Sequence, residues 1–179
     1  MGLYNDASFD RQPRGGSQQG YIVIIGDKSL AIRPEFYASP VAWSSTRIHR
    51  VVRSTLAAEA AALATGYDTA VYIRAILCFL LGSWTGEWMT DVAQIPQVTW
   101  TDCRSLYDCL HKEGSIPSER RIALDIYDVR QFLENDYDAL EWCSTNSMIA
   151  DPLTKHIPMA EATMLREFLD TGFLHPVMQ

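Results

Sequence analysis

The sequence predicts an α/β domain: a mixed five-stranded sheet, three antiparallel strands followed by parallel additions, flanked by helices. Three observations predict it. Strand-like runs broken by turn residues occupy the chain as far as Ser45, a helical periodicity takes over from Arg53 to Leu81, and short apolar runs then alternate with amphipathic stretches. Hairpins followed by β-α units make a sheet that begins antiparallel and ends parallel. With 179 residues, 47% of them hydrophobic, the chain is long enough to bury one core and too short to argue for two, so residues 1–179 are read as a single domain.

The elements follow in order. Leu3 to Phe9 is a short strand with Asp6 within it; a chain that opens almost on a strand is expected to be cut from a longer polyprotein. Asp10 to Gln19, rich in Gly, Gln and Arg, is a turn or loop. Gly20 to Ile25 is a β-branched strand that Gly26-Asp27-Lys28 turns back. Ser29 to Ile32 and Val41 to Ser45 read as one third strand, interrupted by an insertion over Arg33 to Pro40. The long helix has Gly66 inside it and Gly82 as its stop, and Ser83 to Gln97 is a connector. Val98 to Thr101 is a fourth strand ending at Asp102, with a helix over Cys103 to His111. After a loop containing Gly114 and Pro117, Glu119 to Glu134 is a helix with Ile122, Ile126, Val129 and Leu133 along one stripe. Ala139 to Cys143 is the fifth strand, and a last helix is expected near Met159 to Asp170.

Composition narrows the function classes. A net charge of −7 argues against autonomous tight binding of nucleic acid, but not against a nuclease whose substrate is also held by a neighbouring module. The bases are clustered: Arg47, His49, Arg50 and Arg53 precede the long helix, Arg120 and Arg121 are adjacent, and Arg11 and Arg14 flank Pro13. Such clusters can follow a phosphate track. The four cysteines form no C-x-x-C pair and follow no export signal, so they read as reduced thiols of an intracellular protein, without a disulfide partner. Cys103, Cys109 and His111 fit no usual zinc spacing. The most apolar run, Ala75 to Leu81, is far short of a membrane span. Position 6 is Asp rather than the Ser or Thr of a myristoylation signal.

The acids carry the chemistry. Glu59 lies in Ser54-Thr-Leu-Ala-Ala-Glu-Ala-Ala-Ala-Leu-Ala-Thr65, a stretch otherwise made for burial, and its helical neighbours Thr55, Leu56, Ala62 and Leu63 offer no cation. A buried carboxylate in that position needs solvent, a base from elsewhere, or a metal ion. Asp102 ends a strand, where α/β folds place functional side chains.

Tyr4-Asn5-Asp6-Ala7, Ser54-Thr55-Leu56-Ala57-Ala58-Glu59, Thr101-Asp102-Cys103-Arg104-Ser105 and Ala150-Asp151-Pro152-Leu153-Thr154-Lys155 resemble the successive motifs of the ribonuclease H domain of copia-type (Pseudoviridae-like) LTR retrotransposon polyproteins. Gly20-Tyr21 and Trp43-Ser44-Ser45 are intermediate signposts, and the resemblance runs from about Leu3 to Leu174. It implies a ribonuclease H-like fold and a nuclease that hydrolyses the RNA strand of RNA/DNA hybrids during reverse transcription. The upstream reverse transcriptase domain of the same polyprotein would be its partner, in the cytoplasm within a virus-like particle and with a nuclear stage.

By that resemblance Asp6, Glu59, Asp102 and Asp151 are the catalytic and metal-binding residues for two Mg2+ ions, Mn2+ being the alternative. Asp6 would bridge both ions, Glu59 and Asp102 would hold the ion near the leaving group, and Asp151 would complete the ion that activates water. Two divalent ions about 4 Å apart supply the nucleophile and neutralise the leaving oxygen. Without cations such acids repel, by about 3 kcal/mol for a pair about 5 Å apart at an effective dielectric near 20. The RNA strand is distinguished by its 2′-hydroxyls, and the groups expected to read it lie around Ala7, Ser8, Phe9, Ser54 and Ser105, with Arg50, Arg53, Arg120 and Arg121 on phosphates.

The chain departs from the family pattern at Ala57 and Ala60, where a second acid and an aromatic are usual, at Cys103 in place of Asn, and at Ile122-Ala123 in place of Lys-His. No His stands about ten residues before Asp151, leaving His156 as the candidate to assist turnover. The competing reading is a catalytically weak or inactive scaffold of the same fold; an integrase or junction resolvase fits the order of acids less well.

Overall fold

The hairpin signals read in the sequence produce an antiparallel meander of β1 (Gly2–Ser8), β2 (Gln18–Gly26) and β3 (Phe36–Arg47) in a computed structural model that describes residues 1–10, 15–27, 30, 35–112, 119–158 and 160–175. β1 is buried along its whole length, because β2 flanks it on one side and the parallel strand β4 (Gln97–Thr101) on the other. β5 (Asp138–Trp142) extends the parallel side.

A sixth strand corrects the expected five: β6 (Phe173–Leu174) pairs antiparallel with Phe36 and Tyr37, giving the order β5-β4-β1-β2-β3-β6. Two residues are too few for alternation to register in a sequence. The third strand differs as well. It runs unbroken from Phe36 through Pro40, with a bulge where the register shifts between Val23 and Ile24. Past the reach of β6, β3 is a sheet edge, where a bulge and a proline are tolerated. Of the strand piece expected over Ser29 to Ile32, all but Leu30 lies outside the described residues.

Helix α1 (Thr55–Leu80) starts where Ser54 caps it, its hydroxyl accepting the Ala57 N–H at 3.1 Å, and stops before Gly82 at φ 71°. Small residues let it lie close on β1 and β2: a Cβ at Gly66 would sit 3.1 Å from both Leu3 and Tyr21. At 26 residues α1 has the length and apolarity of a membrane-crossing helix. Its apolarity is accounted for by the sheet it covers, with Ala57, Ala60, Leu63, Tyr67 and Val71 in one core with Leu3 and Val23. Its last turn exposes Phe79, Leu80 and Leu81.

The expected connector contains a short helix, α2 (Trp88–Ala93), held by Asp91, whose carboxylate accepts the Thr85 and Gly86 amides and the Thr85 hydroxyl. Helices α3 (Arg104–His111) and α4 (Ala123–Leu133), the latter preceded by a 3-10 turn at Arg120–Ile122, complete the α1 face. On the opposite face α5 (Asp151–Thr154) and α6 (Thr163–Thr171) cover Tyr4, Ile22, Ile24 and Trp100. Tyr4 stacks on Trp100 at 4.6 Å between centroids.

Candidate metal centre

Strand alternation decides where Asp6 points. Leu3 belongs to the α1 core and Tyr4 to the α5/α6 core, so Asp6, two residues on from Tyr4, turns toward α5, where the Thr154 hydroxyl donates to its Oδ2. The parallel ladder of β1 and β4 ends at the pair Tyr4 and Trp100. The strands part there, and Asp102 follows the end of β4 beside that opening, as functional side chains of open α/β sheets do. Asp102 is fixed from the far end of β5: its Oδ2 accepts the Thr145 hydroxyl at 2.8 Å and its backbone carbonyl accepts the Trp142 indole N–H at 3.1 Å.

Asp151 opens α5, which seats on β2 at Gly20. A Cβ there would lie 2.8 Å from Leu153 Cβ and 3.0 Å from Thr154 Cγ2, so only glycine allows α5 this close. Gly20 is the β2 partner of Asp6, and the Ser45 hydroxyl ties the Leu153 carbonyl to β3. These supports bring ligand oxygens of Asp6, Asp102 and Asp151 within 4.8 Å of one another. Glu59 borders them from the start of α1, 4% exposed, accepting the Ala7 amide, while its Oε2 has no hydrogen-bond partner among the described residues.

The electrostatics follow from crowding. Burial pushes the Asp6 carboxyl up to about 7, helped by Asp102 and Asp151 and opposed by the Thr154 hydrogen bond and the Lys155 charge. Burial also pushes Glu59 well above the usual carboxylate range, with the Asp6 and Asp102 charges adding to it. The Cys143 thiol rises to about 12 through burial and then the charges of Asp102 and Asp6. The countercharge is Lys155, whose ammonium bonds Asp151 Oδ1 one helical turn away. Burial lowers its pKa, but the Asp151 hydrogen bond and the Asp6, Asp151 and Asp102 charges raise it by more.

An all-carboxylate set beside a buried oxygen that lacks a hydrogen-bond partner among the described residues suits a hard divalent cation that prefers oxygen ligands and keeps part of its water shell. Asp6, Asp102 and Asp151 are the residues whose oxygens lie close enough together to hold it, and Glu59, expected as a fourth ligand, borders that group without belonging to it.

The residues expected to touch substrate are dispersed. Arg50 is ion-paired with Asp125, and Ser54 both caps α1 and donates to Glu119 at 3.2 Å. Arg53, Ser105, Arg120 and Arg121 are exposed, with the Ser105 hydroxyl 3.3 Å from Cys103 Sγ. Phe9 is half-buried; the Ala7 amide is taken by Glu59, and the Ser8 side chain is buried at 3% exposure. His156 is exposed next to Lys155. Sequence reasoning missed Thr145, Thr154 and Lys155 as supports of the acids. Thr154 and Lys155 stood inside the Ala150 to Lys155 motif, and the four-residue step from Asp151 to Lys155 was the signal for their pairing.

No family profile matches the chain, and no curated protein does. Solved structures do. RNase H1 from the halophilic archaeon Halobacterium salinarum superposes with a TM-score of 0.55 at 17% identity, over 94% of this chain and 96% of that one. The N-terminal RNase H domain of rv2228c from Mycobacterium tuberculosis, solved as a fusion with maltose binding protein, gives 0.58 at 16% identity, over 92% and 96%. LC11-RNase H1, isolated from compost by a metagenomic approach, gives 0.54 at 15% identity, over 92% and 96%. The chain therefore has the ribonuclease H fold.

Proposed function

We propose that the chain is a divalent-metal-dependent endoribonuclease that hydrolyses the RNA strand of RNA/DNA hybrids, using two Mg2+ ions with Mn2+ able to substitute. The observation that carries this reading is the convergence of Asp6, Asp102 and Asp151, drawn from β1, the end of β4 and the start of α5, to within 4.8 Å, with the partnerless oxygen of Glu59 beside them. The fold shared with three RNase H structures supports it, as do the four copia-type motifs, each of which carries one of these acids. Bound divalent ions would supply an activated water and neutralise charge on the leaving oxygen.

The protein's own contribution is to hold the carboxylates together against their repulsion: Thr154 orients Asp6, Thr145 orients Asp102, and the Gly20 contact seats Asp151. Substrate grip is weak by the same reading, since the chain carries a net charge of −7 and Arg50 is already engaged by Asp125. We place the domain downstream of a reverse transcriptase in one polyprotein that helps hold the hybrid, in a cytoplasmic virus-like particle with a nuclear stage.

A labelled hybrid incubated with Mg2+, with chelator, and with Asp6→Asn and Asp102→Asn proteins tests the reading. RNA cleavage that requires metal and vanishes in both variants is expected. The alternative, an inactive scaffold, is favoured by the departures at Ala57, Ala60 and Cys103; it predicts no metal-dependent cleavage by the wild type, even when joined to its reverse transcriptase.

A further inference from the structure

Lys155 faces the acid cluster, and its contacts set it apart from an ordinary surface lysine. Its ammonium is bonded to Asp151 Oδ1, its side chain is only 26% exposed, and its charge reaches Asp6 and Asp102 as well as Asp151. It is carried by the same short helical turn that carries Asp151 and Thr154, so it cannot be displaced far without leaving the carboxylates behind. An ammonium and a divalent ion seek the same oxygens. The ammonium does not complete the site, however, because the buried Glu59 Oε2 has no hydrogen-bond partner among the described residues.

We propose that Lys155 is a tethered cation that competes with divalent metal for the Asp151 carboxylate, relieving the crowded acids in the metal-free protein at the expense of metal affinity. It is a positioning residue, acting through the Asp151 carboxylate. The idea rests on the reading of the cluster as a metal centre. One turn of helix suffices to couple the two cations: whatever frees Asp151 must first free it from Lys155. Two effects of opposite sign follow. Removing the ammonium leaves the metal-free acids unrelieved, which lowers stability, and removes a like charge beside the divalent ion, which raises its affinity.

Isothermal titration of the whole chain with Mn2+ and then Mg2+, without nucleic acid, tests this in wild type, Lys155→Met and Lys155→Gln, alongside melting curves in chelator. Mn2+ affinity should rise in both variants, on the order of tenfold for loss of one nearby unit charge in a partly solvated site. Their metal-free melting temperatures should fall, and Lys155→Arg should behave as wild type. A lowered melting temperature with unchanged or weaker Mn2+ binding overturns the proposal and leaves Lys155 a stability residue. Asp102→Asn separates the two levels of failure. If it loses the Mn2+ binding that wild type shows while the Lys155 variants do not alter it, only the proposal fails. If wild type, Asp102→Asn and the Lys155 variants all bind no metal, the metal-centre reading fails and takes the proposal with it.

Discussion

Glu59 and Asp6 are held where water cannot easily reach them, and the Asp6 charge adds to the cost of ionising Glu59. Burial first, and then the neighbouring carboxylates, raise both above their ordinary values, Asp6 to about 7. A charge kept in such a place destabilises the metal-free fold, which is the usual cost of a functional constellation. Glu59→Gln removes the ionisable group and keeps the shape. In chelator at about pH 8 it should stabilise the protein by about 1–2 kcal/mol in urea unfolding while abolishing metal-dependent cleavage. At this scale the sequence was informative about the acids and silent about their supports. Asp6, Glu59, Asp102 and Asp151 each sit in a motif, and Glu59 has no cation on its own helical face, so it was conspicuous. Thr145 supports Asp102 across 43 residues of chain, a pairing that no local pattern encodes.

Elements meet at two points that matter most, one beneath the site and one away from it. At Gly20, α5 lies so near β2 that a methyl group would meet Leu153 and Thr154. Gly20→Ala should cost about 1–3 kcal/mol in stability by overpacking, and should lower Mn2+ affinity as α5 lifts and takes Asp151 with it. The other point is structural. Arg74 on α1, fully buried, donates to the Val92 carbonyl at 2.9 Å and pairs with Asp138 of β5 at 2.8 Å, while the Tyr67 hydroxyl donates to the same carboxylate. Arg74→Met leaves that carboxylate buried without its cation and should cost about 3–5 kcal/mol in urea unfolding.

Helix α1 was legible nearly to the residue because Ser54, an alanine-rich run and Gly82 all agree. The helix α2 and the strand β6 were not. Six residues and two residues give no period to read, and β6 exists only because Gly172, at φ 70°, ends α6 beside β3.

For the molecule as a whole, the acid cluster couples stability to pH. Folded Asp6 keeps its proton up to about pH 7, whereas in the unfolded chain it titrates near its ordinary value of 3.8, and Glu59 is raised in the same direction. Between those values the folded state binds more protons than the unfolded one, so this contribution falls as pH rises through that window. In chelator the melting temperature set by these groups should therefore be lower at about pH 8 than at about pH 5, and Mg2+ should raise it more at the higher pH, as scanning calorimetry can show.

The chain order predicted a sheet that begins antiparallel and ends parallel, and the structure adds that the strand between its two halves is the one that carries Asp6. What order could not convey is distance: whether acids that lie from residue 6 to residue 151 come within reach of one cation.

Crystals soaked in Mn2+ and measured near its absorption edge test that claim most directly. Anomalous peaks lying between the carboxylates of Asp6, Asp102 and Asp151, with Glu59 turned toward one of them, are the predicted result. Manganese absent from the cluster, or bound only elsewhere on the surface with the Asp151 and Lys155 pair intact, would contradict the account.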